Sequence, residues 1–458
     1  MKDISLILLA AGDSSRFELP VKKQWLRVGE LPLWQYVAQS IARAHPFKKI
    51  IIAVNEEDVG YCERLYACSL ASARGENSEC GKSAECGKSA ECGKSVECGT
   101  SEYKFKSERG GIGCGADDLN DASKPRGAEN FKAQVECDAD ECGSANLKFH
   151  FAPGGANRQS SLKNALKLVE SELVLVSDVA RAQISPELIS SLIRNLGGAD
   201  CVSPYLGVND TTYLGERIVE REELRLIQTP QLSRTALLKK ALEGDEIFTD
   251  DSAAVGSAGG RLEFIKGEAG ALKITRASDL AALNLKPCSR DIFCGTGYDV
   301  HVLEKGAGIV LGGVQIPCEF ALIAHSDGDV AIHALIDAIC GAAMLGDIGE
   351  LFPDSDAKFK GADSKELLRK VMRRVRGYGY ELVNADITII AQRPKIGAYK
   401  AQMQEVLSEI LNCARVNVKA TTTEGLGFTG RSEGIAAQAA VSLKFYDWQK
   451  HAAKAQDV

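Results

Sequence analysis

Three short apolar runs constrain this chain more than any other feature. "ISLILLAAG" opens it, "KKIIIAVNE" follows the helically spaced "LWQYVAQSIARA", and "ELVLVSDVARA" comes later. Each run is continuous rather than alternating, as in strands buried on both faces of a sheet. Buried strands that alternate with helices imply parallel βαβ units. The first half is therefore predicted to be α/β, built on a mostly parallel sheet.

At 458 residues the chain has room for two or three domains. Its 45% hydrophobic and 26% charged residues are those of an ordinary globular protein. A net charge of −7 gives no reason to expect nucleic acid or an anionic membrane as a partner. No run reaches the ~18 apolar residues of a membrane span, and no cleavage pattern follows the N-terminal run. The expected location is the cytoplasm, where the fifteen cysteines would not build a disulfide framework.

Residues 71–147 differ from their surroundings. They are rich in Gly, Ser, Glu, Lys and Cys, and the hexad Glu-Cys-Gly-Lys-Ser-Ala recurs from residue 79. Gly-Lys-Ser invites comparison with a P-loop, which needs a Gly five residues before its Gly-Lys. For Gly87-Lys88 that position is Lys82, and for Gly93-Lys94 it is Lys88, so the spacing fails in both. Cys80, Cys86, Cys92 and Cys98 lie six apart, wider than the usual zinc spacing. The segment is expected to be a disordered low-complexity insertion in its host domain. "LKFHFAPGG" resumes the α/β pattern, and "GALKITRASDLAALNL" is predicted as a strand leading into a helix. Residues 287–292 are predicted as a linker, and the tail "QKHAAKAQDV" is expected to fray.

In the first half, "AAGDSSRF" follows a strand and is predicted to open a helix. Small residues there let the backbone approach a phosphate, and a helix N-terminus favours anions. Arg16 and the Lys22-Lys23 pair follow, and fixed cations suit charge developing on phosphorus. "PGGANRQSSL" is a second Gly-rich loop, and Asp178 ends a strand where α/β sheets place ligands. Asp178 could hold Mg²⁺ or could simply cap a helix. Together these pieces resemble the 2-C-methyl-D-erythritol 4-phosphate cytidylyltransferase family, over residues 1–286 with the insertion inside. The resemblance implies a Rossmann-like nucleotidyltransferase domain, with Mg²⁺ or Mn²⁺ accompanying CTP. It places Ala10, Ala11 and Gly12 against CTP, with Gly154, Gly155 and Ser161 near cytosine and ribose. Arg16 and Lys23 would stabilise the α-phosphate, and Asp178 with Arg181 matches the family's acidic segment as "DVAR". Asp210 and Thr211 of "NDTTY" would meet the sugar phosphate, while Arg221 and Lys273 would hold its phosphate. This chain has Ser14 where the family usually has Gly, and Lys22 competes for the place of Lys23.

In the second half, predicted from 293 to 458, "GYDVH" puts Asp299 and His301 two residues apart. On a strand both face one side and can touch one ion. "AHSDGDVAIHALIDA" brings His325 and His333, with His333 on a helix. Asp299, His301 and His333 make three ligands, the number a catalytic zinc site uses with one position open. The longer motifs "GDIGELFPDSD" and "VNVKATTTEGLGFTGRSEGIA" complete a resemblance to the 2-C-methyl-D-erythritol 2,4-cyclodiphosphate synthase family, an α+β fold. That resemblance implies zinc or a similar ion at Asp299, His301 and His333. It puts magnesium or manganese at Glu424. His325 and Thr422 would steady the transition state. Asp347, Gly349 and Asp354 would contact substrate, and Lys395, Thr421, Thr423, Phe428 and Arg431 would line the cytidine and phosphate pocket.

The whole chain thus resembles the bifunctional fusion of these families. The resemblance implies small-molecule substrates: CTP, methylerythritol phosphate and cytidylyl-methylerythritol phosphate. It also implies a homo-oligomer with a trimeric cyclase core, and a hexamer if the transferase's twofold contact persists. Two rivals remain: an active cyclase carrying a non-catalytic transferase-like scaffold, and a thiol or metal-binding protein that uses the cysteine hexads.

Overall fold

The computed structural model describes residues 3–73, 147–353 and 355–454. The hexads, with Cys80, Cys86, Cys92 and Cys98, lie outside the described residues, as does Asp354. The three apolar runs are strands: Ile4–Leu9 at the centre, Lys49–Val54 on one side and Leu173–Asp178 on the other, all parallel. Phe149–Pro153 extends the sheet beyond Lys49–Val54. On the other flank, Gln231–Arg234 runs antiparallel between Leu173–Asp178 and Cys201–Leu206. Ile4, Leu6, Ile7 and Leu8 are essentially inaccessible, which is why these runs do not alternate.

Two local expectations fail. No helix follows "AAGDSSRF". The chain loops from residue 10 to Pro20 and makes only a short 3-10 turn at Lys23–Trp25. Ser14 and Glu18 have φ near +60°, and helix cannot propagate through left-handed residues. "GALKITR" is also not a strand, because no sheet edge is offered to it. Ile274 makes a single backbone bond to Ala180 and buries its side chain, and a 3-10 helix, Ala277–Ala282, follows.

The second half folds on another sheet, ordered Phe320–Ile323, Ile292–Lys305, Gly434–Phe445, Tyr380–Ile390, Val416–Thr421. All pairs are antiparallel except the last, and helix Val330–Ala342 packs on one face. The helix sits unusually close. A Cβ on Gly297 would fall 2.0 Å from the Ala334 carbonyl oxygen, and one on Gly295 2.1 Å from that of Ala338. Only glycine permits this approach, which lowers His333 onto the strand carrying Asp299 and His301. The other face of the sheet leaves Tyr298 at 57%, Val302 at 55% and Ile323 at 53% exposed.

One apolar cluster runs through both halves. Tyr61 stacks on Tyr378 at 4.4 Å and donates its hydroxyl to the Ala343 carbonyl at 3.0 Å. The Tyr378 hydroxyl donates to buried Asp58 at 2.6 Å and accepts from Arg374 at 2.9 Å. Residues 287–292 run against the first half, with Gly29 N–H donating to the Pro287 carbonyl. Of the tail expected to fray, residues up to 454 are ordered as helix, and 455–458 lie outside the described residues. Residues Trp448–Lys454 form a helix, because Trp448 is buried and donates its indole N–H to the Arg27 carbonyl at 2.7 Å. Among the described residues no cysteine is in a disulfide, and burial pushes the Cys201 and Cys340 thiols up to about 12.

Candidate active sites

In the first half the carboxyl ends of the parallel strands open onto a cavity of about 510 Å³. Ala11, Gly12, Arg16, Lys23, Gly155, Ser161, Asp178 and Lys273 all line it. Ala10 lies behind, buried. The two Gly-rich loops touch: a Cβ on Gly154 would meet the Ala11 Cβ at 2.4 Å. Gly155 N–H donates to Ser161 Oγ at 3.0 Å, and Asn157 caps helix Arg158–Leu166.

Charge is concentrated on one wall. Asp178 accepts from Lys273 at 2.8 Å and from Arg158 at 3.2 Å. Burial pushes its carboxyl up, but the two cations outweigh this and hold it at about 2. Lys23 donates to the Ile274 carbonyl at 3.2 Å. Partial burial, then the positive charges of Arg16 and Lys273, lower its ammonium below the ordinary lysine value. The two lysines of "VKKQ" separate cleanly. Lys23 faces the cavity, whereas Lys22 turns away and lies 3.9 Å from Glu57. Ser14, in place of the expected glycine, is left-handed, and its hydroxyl accepts from Lys23 N–H at 3.0 Å. Arg181 is buried against Thr229 and the Ala271 carbonyl, beneath the cavity rather than in it. Asp210, Thr211 and Arg221 do not line it. They lie by an exposed two-stranded arm, Thr212–Leu214 with Arg217–Val219, where Arg221 donates to the Asn209 carbonyl.

Sequence reasoning missed Arg158. It sits inside the quoted "PGGANRQSSL" and bridges Asp178 to fully buried Asp251, which accepts at 2.9 Å. Its fork between two carboxylates fixes Asp178 at the cavity edge. The motif offered a signal for Arg158, but its partner 93 residues away offered none.

In the second half, Asp299 Oδ2, His301 Nε2 and His333 Nδ1 lie pairwise 3.1 Å apart. Among the described residues this is the group of His, Cys, Asp or Glu atoms that converges tightly enough to hold one metal ion. A tetrahedral ion with ligands at about 2.0–2.1 Å needs donors about 3.3–3.4 Å apart, so the set fits with little adjustment. The far nitrogen of His333 completes the fit: Nε2 meets Ser326 Oγ at 3.1 Å and Ser364 Oγ at 3.0 Å. Ser364 in turn donates to Asp327 at 2.5 Å. This leaves Nδ1 aimed at the carboxylate. Asp329 anchors the helix by accepting from Gly312, Gly313 and Ile332 N–H groups. Burial raises Asp299, but the neighbouring imidazoles more than reverse this and hold it well below the usual carboxylate range. Burial lowers His333, and Asp299 beside it turns the net shift upward.

The remaining predicted residues lie elsewhere. His325 is exposed, outside the cluster. Asp347 caps the short turn that includes Gly349. Glu424 is left-handed at φ +52° and accepts from Thr422 Oγ1 at 2.8 Å. Thr423 bonds the Leu426 carbonyl, and Arg431 forks onto Glu433. Thr421 pairs through Ile390 and Ala436 to Val300, three strands across. At about 4.8 Å per strand, Thr421 stands about 14 Å from the Asp299-His301 strand. Thr421, with Thr422–Glu424 following it, thus begins from the opposite edge of the sheet. Lys395 and Phe428 also lie outside the metal-ligand group.

Together the two sites suit a protein with two phosphate-handling centres, one a cation-lined pocket and the other a three-residue cluster able to hold a metal ion. Comparison with known proteins agrees. The profile of 2-C-methyl-D-erythritol 4-phosphate cytidylyltransferase matches residues 138–285, and that of the YgbB family matches 292–444. The chain belongs to the bifunctional IspD/IspF enzyme family. It is 50% identical to "Bifunctional enzyme IspD/IspF" of Campylobacter hominis, over 98% of this chain and all of that one. It is 46% identical to the Campylobacter concisus enzyme, over 98% and 99%. The solved bifunctional IspDF of Campylobacter jejuni superposes with a TM-score of 0.73 at 40% identity, covering 98% of this chain and 100% of that one.

Proposed function

We propose that this chain catalyses two reactions of the methylerythritol phosphate route to isoprenoids. In the first, the phosphate oxygen of 2-C-methyl-D-erythritol 4-phosphate attacks the α-phosphorus of CTP, and the bond to the β-phosphate breaks to release pyrophosphate. In the second, the 2-phosphate of 4-diphosphocytidyl-2-C-methyl-D-erythritol 2-phosphate attacks its own β-phosphorus. The cyclodiphosphate forms and CMP leaves. One observation carries the reading: a single chain gathers Arg16, Lys23, Lys273 and Asp178 on one cavity and Asp299, His301 and His333 at one point. The cavity of the first half, with its cations in place, also favours two activities over a cyclase on an inert scaffold. Pyrophosphate release from CTP and CMP release from the second substrate, each assayed on the pure chain, test the proposal. Failure of either reaction in folded protein refutes it.

Arg16 and Lys23 sit where they can neutralise the α-phosphate as negative charge grows on it. Ala10, Ala11 and Gly12 offer a close backbone approach, while Gly154, Gly155 and Ser161 shape the nucleoside side. Asp178, ionised and fixed by Arg158, suits a magnesium ion on the CTP phosphates, with Arg181 bracing the segment beneath. Asp210, Thr211, Arg221 and Lys273 would hold the methylerythritol phosphate. The three of these on or beside the exposed arm would do so from a partner subunit. In the second site Asp299, His301 and His333 would hold zinc or a similar ion, and Glu424 magnesium or manganese. Bound there, such ions would neutralise the two phosphates and favour an in-line displacement. His325 and Thr422 would steady the transferring phosphorus. Asp347, Gly349, Asp354 and Lys395 would contact substrate with Thr421, Thr423, Phe428 and Arg431. The substrate carries nucleophile and electrophile together, so positioning is the main task left to the protein.

Because His333 Nε2 is held by two hydroxyls, Ser364→Ala is expected to weaken divalent-metal affinity about ten- to a hundredfold. Competition with a chelating dye measures this, and an unchanged affinity would assign the orientation to Ser326 alone. The exposed Tyr298, Val302 and Ile323 on one sheet face, and Tyr213, Leu214 and Ile218 on the arm, support a homo-oligomer. Sedimentation is expected to show a species several times the 49.1 kDa chain. A monomer would contradict this. The protein is further proposed to be cytoplasmic. No described helix is long and apolar enough to cross a membrane.

A further inference from the structure

The turn that carries Lys23 belongs to two halves of the molecule at once. On its cavity side, Lys23 N–H donates to Ser14 Oγ at 3.0 Å and Gln24 Nε2 donates to the Gly12 carbonyl at 3.0 Å. The turn is thereby fastened to the first Gly-rich loop. On its other side it packs against Trp34 and Tyr61 of the first half and against a segment more than 350 residues later. Lys22 N–H donates to the Gly377 carbonyl at 3.1 Å. The Trp25 ring lies 4.6 Å from the Tyr378 ring. Gly379, at φ +82°, approaches so closely that a Cβ there would lie 2.7 Å from the Trp25 carbonyl oxygen. Trp25 and Tyr378 are each 1% exposed.

A three-residue turn has little rigidity of its own, since it makes few internal bonds and no sheet holds it. Its position is set by what packs against it. The loop it meets on the cavity side is itself irregular, with Ser14 in a left-handed conformation. The firm support therefore comes from behind. Tyr378 supplies it. Its ring packs against both Trp25 and Tyr61 in a three-ring cluster, and its hydroxyl is tied to Asp58 and Arg374.

We infer that Tyr378, a residue of the cyclase half, is a positioning residue for the transferase reaction, seating the Lys23 turn through its contact with Trp25. The inference rests on Lys23 acting at the CTP α-phosphate as proposed above. It makes the second half a structural part of the first site, beyond a neighbour joined to it by a linker. Tyr378 does not touch the cavity, so its effect runs entirely through the placement of the turn.

Two replacements separate placement from stability. Tyr378→Phe keeps the ring but loses both hydrogen bonds, so it lowers the melting temperature while the turn stays seated. Tyr378→Ala removes the seat. In Tyr378→Ala the transferase kcat is expected to fall about tenfold or more, with KM for CTP and the cyclase kcat within about twofold of the parent. In Tyr378→Phe the transferase kcat is expected to stay within about threefold despite the lower melting temperature. Should Tyr378→Ala not fold, Tyr378→Leu takes its place, keeping apolar volume without the flat ring. An unchanged transferase kcat in the ring-deleting variant overturns the proposal. So do parallel losses of both activities, or losses that follow melting temperature in both variants. Lys23→Ala, measured beside them, separates the two possible failures. Full activity there removes the role of Lys23 itself, whereas a loss there with an unaffected Tyr378→Ala removes only the positioning.

Discussion

Asp299→Ala is expected to lower cyclase turnover by more than about a thousandfold, because it removes one of three converging ligands and leaves two imidazoles facing each other. In the folded chain Asp299 Oδ2 is the atom both rings approach, at 3.1 Å each. Without it, His301 and His333 keep a contact in which only one ring can donate, and the ion loses its anionic ligand. Bound metal per chain, measured after dialysis, should fall with the activity. The transferase should remain within about twofold, since its cavity shares no residue with this cluster. Retention of both metal and cyclase turnover would remove Asp299 from the site.

Lys23→Ala should lower transferase kcat by about a hundred- to a thousandfold, the usual scale for deleting a fixed charge aimed at a transition state. Lys22→Ala should cost far less, since Lys22 points toward Glu57 and away from the cavity. The pH profile carries a further sign. Burial, Arg16 and Lys273 lower the Lys23 ammonium from its usual 10.5. As pH rises through that lowered value the cation is lost, so the alkaline decline of transferase turnover should begin earlier than for an ordinary lysine. An acid-side loss from Lys23 would have the wrong direction. Equal losses in the Lys22 and Lys23 variants would contradict the assignment of one lysine to the cavity.

What the sequence made legible was local and periodic. Ile4–Leu9 and Leu173–Asp178 announced themselves because strands covered on both faces must be apolar throughout. Asp299 and His301 could be paired because strand side chains repeat every two residues. His333 could be placed because the helix around it is strongly apolar, as a buried helix must be. What remained hidden depended on long-range packing. Nothing local to Leu272 and Ile274 reveals that no sheet edge awaits them. The left-handed Ser14 turns the first loop away from helix, although the composition favours a helix start. The Arg158–Asp251 pair and the hold of Ser364 on His333 each join residues that only the finished fold brings together. The anchoring of Trp448 on the Arg27 carbonyl, which turns an expected loose tail into a helix, is the longest of these contacts.

On the proposed function, one chain runs two separable phosphoryl reactions at two sites. Phosphorus NMR on three preparations, the parent, Lys23→Ala and Asp299→Ala, tests it most directly. Each would be given CTP and methylerythritol phosphate with Mg²⁺ in one tube, and the cyclase substrate in another. The parent should yield pyrophosphate with the cytidylyl diphosphate product in the first tube, and cyclodiphosphate with CMP in the second. Lys23→Ala should lose only the first reaction and Asp299→Ala only the second. A parent that is silent in either tube, or a single substitution that silences both, would contradict the account.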